Sequence, residues 1–265
     1  MVAPLPISVV IVASNESRNL PRCLRSVAGW TDESVVVLNN TTDDSEAVAT
    51  ALGARVVHRP WEGFRGTKNA ALALARNNWV LSLDADEEVS PALRDEIAGF
   101  FNSGAATRHA GADFPRKSWF MGRWIRHGDW YPDRCLRLLR RDQGRWGGDE
   151  AHTHIVLDGP MARMRADLHH YSYGSLPEQV WKISRQSDDF VRNETARGRR
   201  WSLVHALFRP FWRFVRAYFL RLGFLDGYPG YYIAASTAFS TLLRYSRLYE
   251  ARAQGSPVVT ASPRK

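Results

Sequence analysis

Apolar residues in the first 90 positions fall in short unbroken runs. Ile7–Ala13, Ser34–Leu38 and Trp79–Leu83 are such runs, and Arg55–His58 is a shorter one. Continuous, mostly β-branched or leucine-rich runs of this length predict strands buried on both faces. The segments between them carry helical spacing instead. Leu20 to Ala28 places Leu20, Leu24 and Val27 on one face. Glu46 to Leu52 stops at Gly53, and Thr67 to Ala75 follows a glycine-punctuated loop, Trp61 to Gly66. Strand and helix alternating in this rhythm predict a parallel sheet with right-handed crossovers.

Beyond Glu88 the pattern is more varied. Pro91 to Phe101 predicts a helix with proline at its first position, and the small, polar residues 102–112 predict a mobile loop. Trp119 to Tyr131 is aromatic and basic. Asp133–Arg140 alternates like a strand with one charged face. Arg145 to His154 is expected as a loop, with Ile155–Leu157 and Asp167–Tyr171 as a closing strand pair. From Pro177 the chain turns to long helices. Leu203 to Leu222 gathers Arg209, Arg213, Arg216 and Arg221 on one side among Phe208, Phe211, Trp212, Phe214, Tyr218 and Phe219. That is the pattern of a helix lying in a membrane interface; the other reading is a helix docked on its own domain with arginines in solvent. Tyr228 to Leu243 is uncharged but too short and polar to span a bilayer, and residues 255–265 are expected to be a disordered tail.

Composition narrows the classes. The chain has 265 residues, 45% hydrophobic and 24% charged, which suits one large α/β domain with an appendage. A net charge of +9 favours an anionic partner: nucleic acid, anionic lipid or a phosphorylated substrate. Cys23 and Cys135 are too few and too scattered for a disulfide framework or a zinc site, and a reducing cytoplasm fits. The first apolar run lacks a preceding basic region and ends at Asn15-Glu16, so it reads as a strand and not a signal peptide.

Three strands end in polar clusters: Ser14-Asn15-Glu16, Asn39 to Asp44, and Asp84 to Glu88. In an open α/β sheet such ends converge on one edge, where ligands bind. Four carboxylates at the last of them suit a hard divalent cation, Mg²⁺ or Mn²⁺, carrying a substrate's phosphates; a solvated turn is the alternative.

On these residues the chain resembles family 2 glycosyltransferases of the GT-A fold, the bacterial branch acting on the lipopolysaccharide inner core most of all. The matching stretches are Ser14-Asn15-Glu16, Thr41-Thr-Asp-Asp-Ser45, Trp61-Glu-Gly-Phe with Lys68-Asn69, Leu83-Asp-Ala-Asp-Glu87, Tyr131-Pro-Asp-Arg-Cys-Leu-Arg-Leu138 and Gly223-Phe-Leu-Asp-Gly227. The resemblance implies a Rossmann-like, mostly parallel sheet with flanking helices and a C-terminal amphipathic helical segment. It implies a nucleotide-sugar donor with a metal at Asp86 and with Asp84 nearer the ribose or diphosphate. Lys68 would add charge near the phosphates or orient Asp84, and Ser14, Asn15 and Glu16 would line the donor site. Relatives carry an aspartate at the end of the second strand where this chain has Leu38, so Asn39 or Asp43 would take its place. A general base is expected in the Arg145 to His154 loop: Asp149 first, Glu150 second, His152 a weaker candidate. Thr153 stands where relatives often have a glutamate.

The expected organisation is a GT-A catalytic domain over residues 1–176, with a nucleotide-sugar half to about residue 90. A helical region over 177–252 follows, in contact with the membrane interface. The expected function is inverting, metal-assisted transfer of a hexosyl or heptosyl unit to a lipopolysaccharide-core or other lipid-linked glycan. The protein would sit peripherally on the inner face of the cytoplasmic membrane, with no nucleic-acid partner. A sugar nucleotidyltransferase shares the sheet but would want a glycine- and lysine-rich phosphate loop after the first strand, which Ser14-Asn15-Glu16 does not supply. A non-catalytic basic nucleic-acid binder rests on charge alone.

Overall fold

A computed structural model describes residues 3–148, 153–198 and 201–254. They form two compact units. One comprises Met1–Lys117 with Asp133–Tyr171, the other Ser118–Pro132 with Ser172–Lys265.

The first unit is built on a sheet. Its N-terminal half alternates β1 (Leu5–Ala13), α1 (Leu20–Val27), β2 (Thr31–Leu38), α2 (Ser45–Ala51), β3 (Arg55–His58), α3 (Gly63–Ala73) and β4 (Trp79–Asp84). The strand order β3-β2-β1-β4 is parallel throughout, the Rossmann-like half expected of a GT-A domain. Register aligns the strand ends: Ala13 pairs with Leu38, Leu38 with His58, and Val12 with Asp84. Val9, Ile11, Val36, Leu38, Leu81 and Leu83 are buried in one core with α1 and with Leu93 and Ile97. Both faces of these strands are covered, which is why their sequences run apolar without alternation.

The sheet then turns mixed. β5 (Glu87–Val89) and α4 (Pro91–Asn102) precede β6 (Gly111–Phe120) and β7 (Arg123–Trp124), then β8 (Asp133–Arg140), β9 (Gly144–Gly147), β10 (His154–Leu157), β11 (Met161–Arg163) and β12 (Leu168–His170). β8 runs antiparallel between β4 and β6.

Several expected boundaries move. Residues 102–112 are not one loose loop: a 3-10 turn over Ala105–Thr107 buries Ala106, and β6 begins at Gly111. Ala106, Ala110 and Ala112 are buried, so part of this small-residue stretch packs instead of staying loose. α3 starts at Gly63, four residues earlier than its spacing suggested, because Gly63 enters the helix at φ 78° and the Glu62 N–H donates to Thr67 Oγ1 at 3.0 Å. The proposed pairing of 155–157 with 167–171 is wrong. β10 pairs with β9, so Arg145–Gly147 is strand and not loop, and β12 pairs with β5. Both strands are too short for their sequence pattern to name a partner.

The second unit packs α5 (Leu176–Ala196), α6 (Leu203–Val215) and α7 (Gly227–Gln254), with the β6–β7 hairpin tip and the turn at Gly128–Trp130. α6 passes into a single π-helical stretch at Arg216–Leu220, and α7 runs well past Leu243. Phe120, Ile125 and Ile233 form its apolar centre, with Trp130, Tyr173 and Tyr232 against them. The Gly223–Gly227 motif is a structural joint. Asp226 is buried and accepts from the N–H groups of Arg126 (3.0 Å) and His127 (2.7 Å). A Cβ on Gly230 would stand 1.9 Å from the Gly223 carbonyl oxygen, so only glycine allows that approach.

The arginines of α6 and its extension stay partly exposed, but each is drawn onto a partner within the unit. Arg213, Arg216 and Arg221 converge on the single carboxylate of Asp129, at 3.3, 2.6 and 3.4 Å, and Arg209 donates to the Tyr245 hydroxyl. The apolar side chains take the outside. Val204, Leu207, Phe211 and Leu220 are each more than 60% exposed, and Leu203, Phe208, Trp212 and Phe219 are also exposed. Among the described residues, no helix is long and apolar enough to cross a membrane.

Candidate active site

The edge where β1, β2 and β4 end carries two linked clusters. At the ends of β1 and β2, Asn15 adopts φ 57°, and its side-chain oxygen accepts from Thr42 N–H (2.8 Å), Thr42 Oγ1 (3.2 Å) and Asp43 N–H (3.2 Å). Asp43 answers from the other strand. Its Oδ2 accepts from Ser17 N–H at 3.0 Å, and its Oδ1 from Ser45 N–H at 3.0 Å and Ser45 Oγ at 2.5 Å. Those bonds, Ser45 first and Ser17 second, hold the Asp43 carboxyl well below the usual carboxylate range. Glu16 N–H donates to Ser45 Oγ at 2.9 Å, while Glu16 Oε2 accepts from Asn19 at 2.8 Å. Ser14 is exposed at the end of β1, and Asn39 is buried against the Ala13 carbonyl.

The second cluster is the acidic run after β4. Its carboxylates do not share one task. Lys68 Nζ lies 2.6 Å from Asp84 Oδ1, and Arg137 donates to Asp84 Oδ2. Burial pushes the Asp84 carboxyl up, but the charges of Arg137 and then Lys68 overcome it and hold the group far below its ordinary value. Glu87 is fully buried. Its Oε1 accepts from Arg137 (2.7 Å) and Arg116 (3.0 Å), and its Oε2 from the Asp84 N–H (3.0 Å). Arg116 in turn binds Asp133 at 2.6 Å. Most of the negative charge at this strand end is therefore neutralised by the chain's own cations.

Asp86 is set apart. Its Oδ2 lies 3.3 Å from His170 Nε2, and its carbonyl accepts from Tyr171 N–H at 2.9 Å. Glu88 accepts from the Tyr171 hydroxyl at 2.8 Å; burial and then that bond push the phenol up to about 12. The alternation of Asp84 and Asp86 about the turn thus sends one carboxylate to Lys68 and Arg137, and the other to β12. Among the described residues, no three His, Cys, Asp or Glu side chains form a ready metal cluster. A carboxylate beside an imidazole supplies two donors that suit Mn²⁺, with further oxygens to come from a ligand.

The β9–β10 hairpin is stapled beside this cluster. The Asn69 side chain exchanges two 2.9 Å bonds with the Trp146 backbone, and Lys68 Nζ sits 4.2 Å from the Trp146 ring centroid. Asp149, Glu150 and His152, which fall between β9 and β10 in the sequence, lie outside the described residues. Two participants were not singled out from sequence. In the sequence Arg137 sits on the charged face of an alternating strand, and His170 is one residue of a short one. The adjacent pair His169-His170 following an aspartate was the available signal.

In open α/β sheets ligands bind beyond the carboxyl ends of the strands, and the ionisable groups of this chain collect at that edge. The family model described as glycosyl transferase family 2 matches residues 8–158. An uncharacterized glycosyltransferase of Rickettsia prowazekii is 30% identical over 96% of this chain and 90% of the relative. The chain belongs to glycosyltransferase family 2. The lipopolysaccharide core biosynthesis glycosyltransferase LpsC of Rhizobium meliloti is 27% identical, covering 96% of this chain and 95% of the relative. Glucosyl-3-phosphoglycerate synthase of Mycobacterium tuberculosis, in complex with Mn²⁺, UDP-glucose and phosphoglyceric acid, is 28% identical over 44% of each chain with a TM-score of 0.34.

Proposed function

We propose that this glycosyltransferase moves a hexosyl or heptosyl unit, with inversion, from a nucleotide sugar to a lipopolysaccharide-core or other lipid-linked glycan. The observation that carries the reading is the division of labour at the end of β4. Asp84 is saturated by Lys68 and Arg137, while Asp86 turns to His170.

In this reading Ser14, Asn15, Glu16, Asn39 and Asp43 shape the nucleoside side of the donor site. Asp84 remains a third exposed on its side chain, so its free lone pairs can accept from a ribose hydroxyl. Lys68 lies where a donor diphosphate would meet its charge. Asp86, with His170, would hold the divalent cation, Mn²⁺ or Mg²⁺, whose charge stabilises the departing nucleoside diphosphate. Asp149 takes the proton of the acceptor hydroxyl, with Glu150 as the second candidate. The acceptor oxygen bonds to the anomeric carbon as the bond from that carbon to the diphosphate breaks.

Similarity over nearly the whole length of LpsC supports a lipopolysaccharide-type acceptor. The outward aromatic face of α6 supports a peripheral membrane position, since an exposed apolar surface of this extent marks a membrane or protein contact. On this reading the protein works at the inner face of the cytoplasmic membrane. The test is turnover of radiolabelled nucleotide sugars with membrane-extracted glycan acceptors, comparing the wild type with Asp86→Ala and Asp149→Asn. Loss of transfer in both variants with retained folding supports the assignment. Full transfer by either one removes that residue from the site, and pyrophosphate release from a nucleoside triphosphate would point to nucleotidyl transfer instead.

A further inference from the structure

The helical unit contains an open pocket of about 190 Å³ lined by α5, α6, α7 and the turn at Asp129-Trp130. Its wall is unexpected. Where α7 packs against its neighbours, an apolar stripe would be the ordinary solution. Instead α7 presents Ser236, Thr237, Ser240 and Thr241, with Arg244 one turn further on. Serine and threonine are poor mid-helix residues, and an arginine drawn out of water without a carboxylate is costly.

Arg244 has no such partner among the described residues. Its Nε is buried and makes no hydrogen bond, and its guanidinium lies 5.8 Å from the Phe190 ring centroid. Burial, and then the charge of Arg213, disfavour its protonated form. The acid in the wall, Asp129, is already committed to Arg213, Arg216 and Arg221. Three guanidiniums thus share one carboxylate and a fourth, Arg244, has none, leaving a local excess of positive charge next to a row of hydroxyls.

We infer that this pocket is a binding site for a phosphate or carboxylate group, held by Arg244 and Arg213 and by the hydroxyls of α7. The part of the ligand held within the pocket would be that group with about one sugar ring, since a cavity of about 150 Å³ holds a benzene-sized molecule. Trp130 and Tyr173 on the wall offer aromatic surface to such a ring. The site stands on the helical unit alone and does not depend on the donor site at the end of β4.

The test is thermal unfolding and calorimetric titration of the full chain with inorganic phosphate, at ionic strength held constant with chloride. The wild type gains stability with rising phosphate. Arg244→Gln binds phosphate at least tenfold more weakly, and Arg244→Lys recovers part of the loss. Lys68→Ala, which alters the strand-end cluster, keeps the phosphate response. A response lost in Lys68→Ala but intact in Arg244→Gln overturns the proposal, as does equal phosphate binding by the wild type and Arg244→Gln or none by either. Parallel arms identify the source. Tighter Arg244-dependent binding of a hexose phosphate or a hexuronate than of inorganic phosphate marks a glycan anion, and Arg244-dependent binding to phosphatidylglycerol vesicles marks a lipid headgroup.

Discussion

Arg137 donates to Glu87 Oε1 at 2.7 Å in the interior of the first unit, and Glu87 has no exposed side-chain surface. The same Arg137 nitrogen also reaches Asp84. One guanidinium thereby fixes the acidic turn from which Asp86 projects. Removing the buried charge leaves Arg137 with Asp84 alone and Arg116 with Asp133 alone. Glu87→Gln should therefore cost about 3–5 kcal/mol of unfolding free energy, read as a lowered urea midpoint. A midpoint within error of wild type would show that the network is not holding the turn.

The depressed Asp84 carboxyl gives a pH signature. Its stabilising contribution is fully present above the unfolded value of about 3.9 and is lost as pH falls from there toward the much lower folded value. The stability difference between wild type and Asp84→Asn should shrink below about pH 4, by up to about 1.4 kcal/mol per pH unit. Denaturant titrations between pH 6 and pH 2.5 check this. A constant difference across that range would mean that Lys68 and Arg137 do not bind the ionised form preferentially.

His170 beside Asp86 favours a cation that accepts imidazole nitrogen. Mn²⁺ should bind more tightly than Mg²⁺ in the presence of a nucleoside diphosphate, and His170→Ala should weaken Mn²⁺ by about tenfold or more while affecting Mg²⁺ less. Calorimetric titration of each ion separates the outcomes; equal effects on both ions would leave His170 outside the coordination shell.

The outward face of α6 should drive association with bilayers. Replacing Leu207 and Phe211 with glutamate should abolish co-flotation with anionic vesicles, while circular dichroism keeps its helical signal. Co-flotation unchanged by the double substitution would place the membrane contact elsewhere.

Gly230 tests the joint at the start of α7. Gly230→Ala puts a methyl group into the Gly223 carbonyl oxygen, and overpacking of this kind costs about 1–3 kcal/mol or more. The readout is a lower thermal midpoint; an unchanged one would show that the α7 entrance yields freely.

The parallel half of the sheet was legible because its strands are buried on both faces, and such strands advertise themselves as unbroken β-branched runs. The polar residues that follow were legible for the same reason, since an apolar run that stops abruptly marks where a strand leaves the core. Arg137 and His170 were hidden by the opposite circumstance. A charged residue in an alternating strand is ordinarily directed to water, and nothing local reveals that Glu87 waits inside to receive Arg137. His170 lies on a strand of three residues whose partner, β5, is itself three residues long. Pairings so short are set by the surrounding fold and leave no periodic trace. The arginines of α6 cluster by helical spacing, but the common anchor at Asp129 lies 84 positions away from Arg213, beyond the reach of that spacing.

The turn joined by Asn15, Thr42 and Asp43 is cross-tied before any ligand arrives. A molecule settling on it would meet backbone that has already given up its freedom, so little of the binding free energy goes to immobilising the protein there. Affinity on that side would then follow the fit of the ligand's own hydrogen bonds. Cutting the tie, as in Asn15→Ala, would show itself as a penalty in entropy with the list of direct contacts left nearly the same.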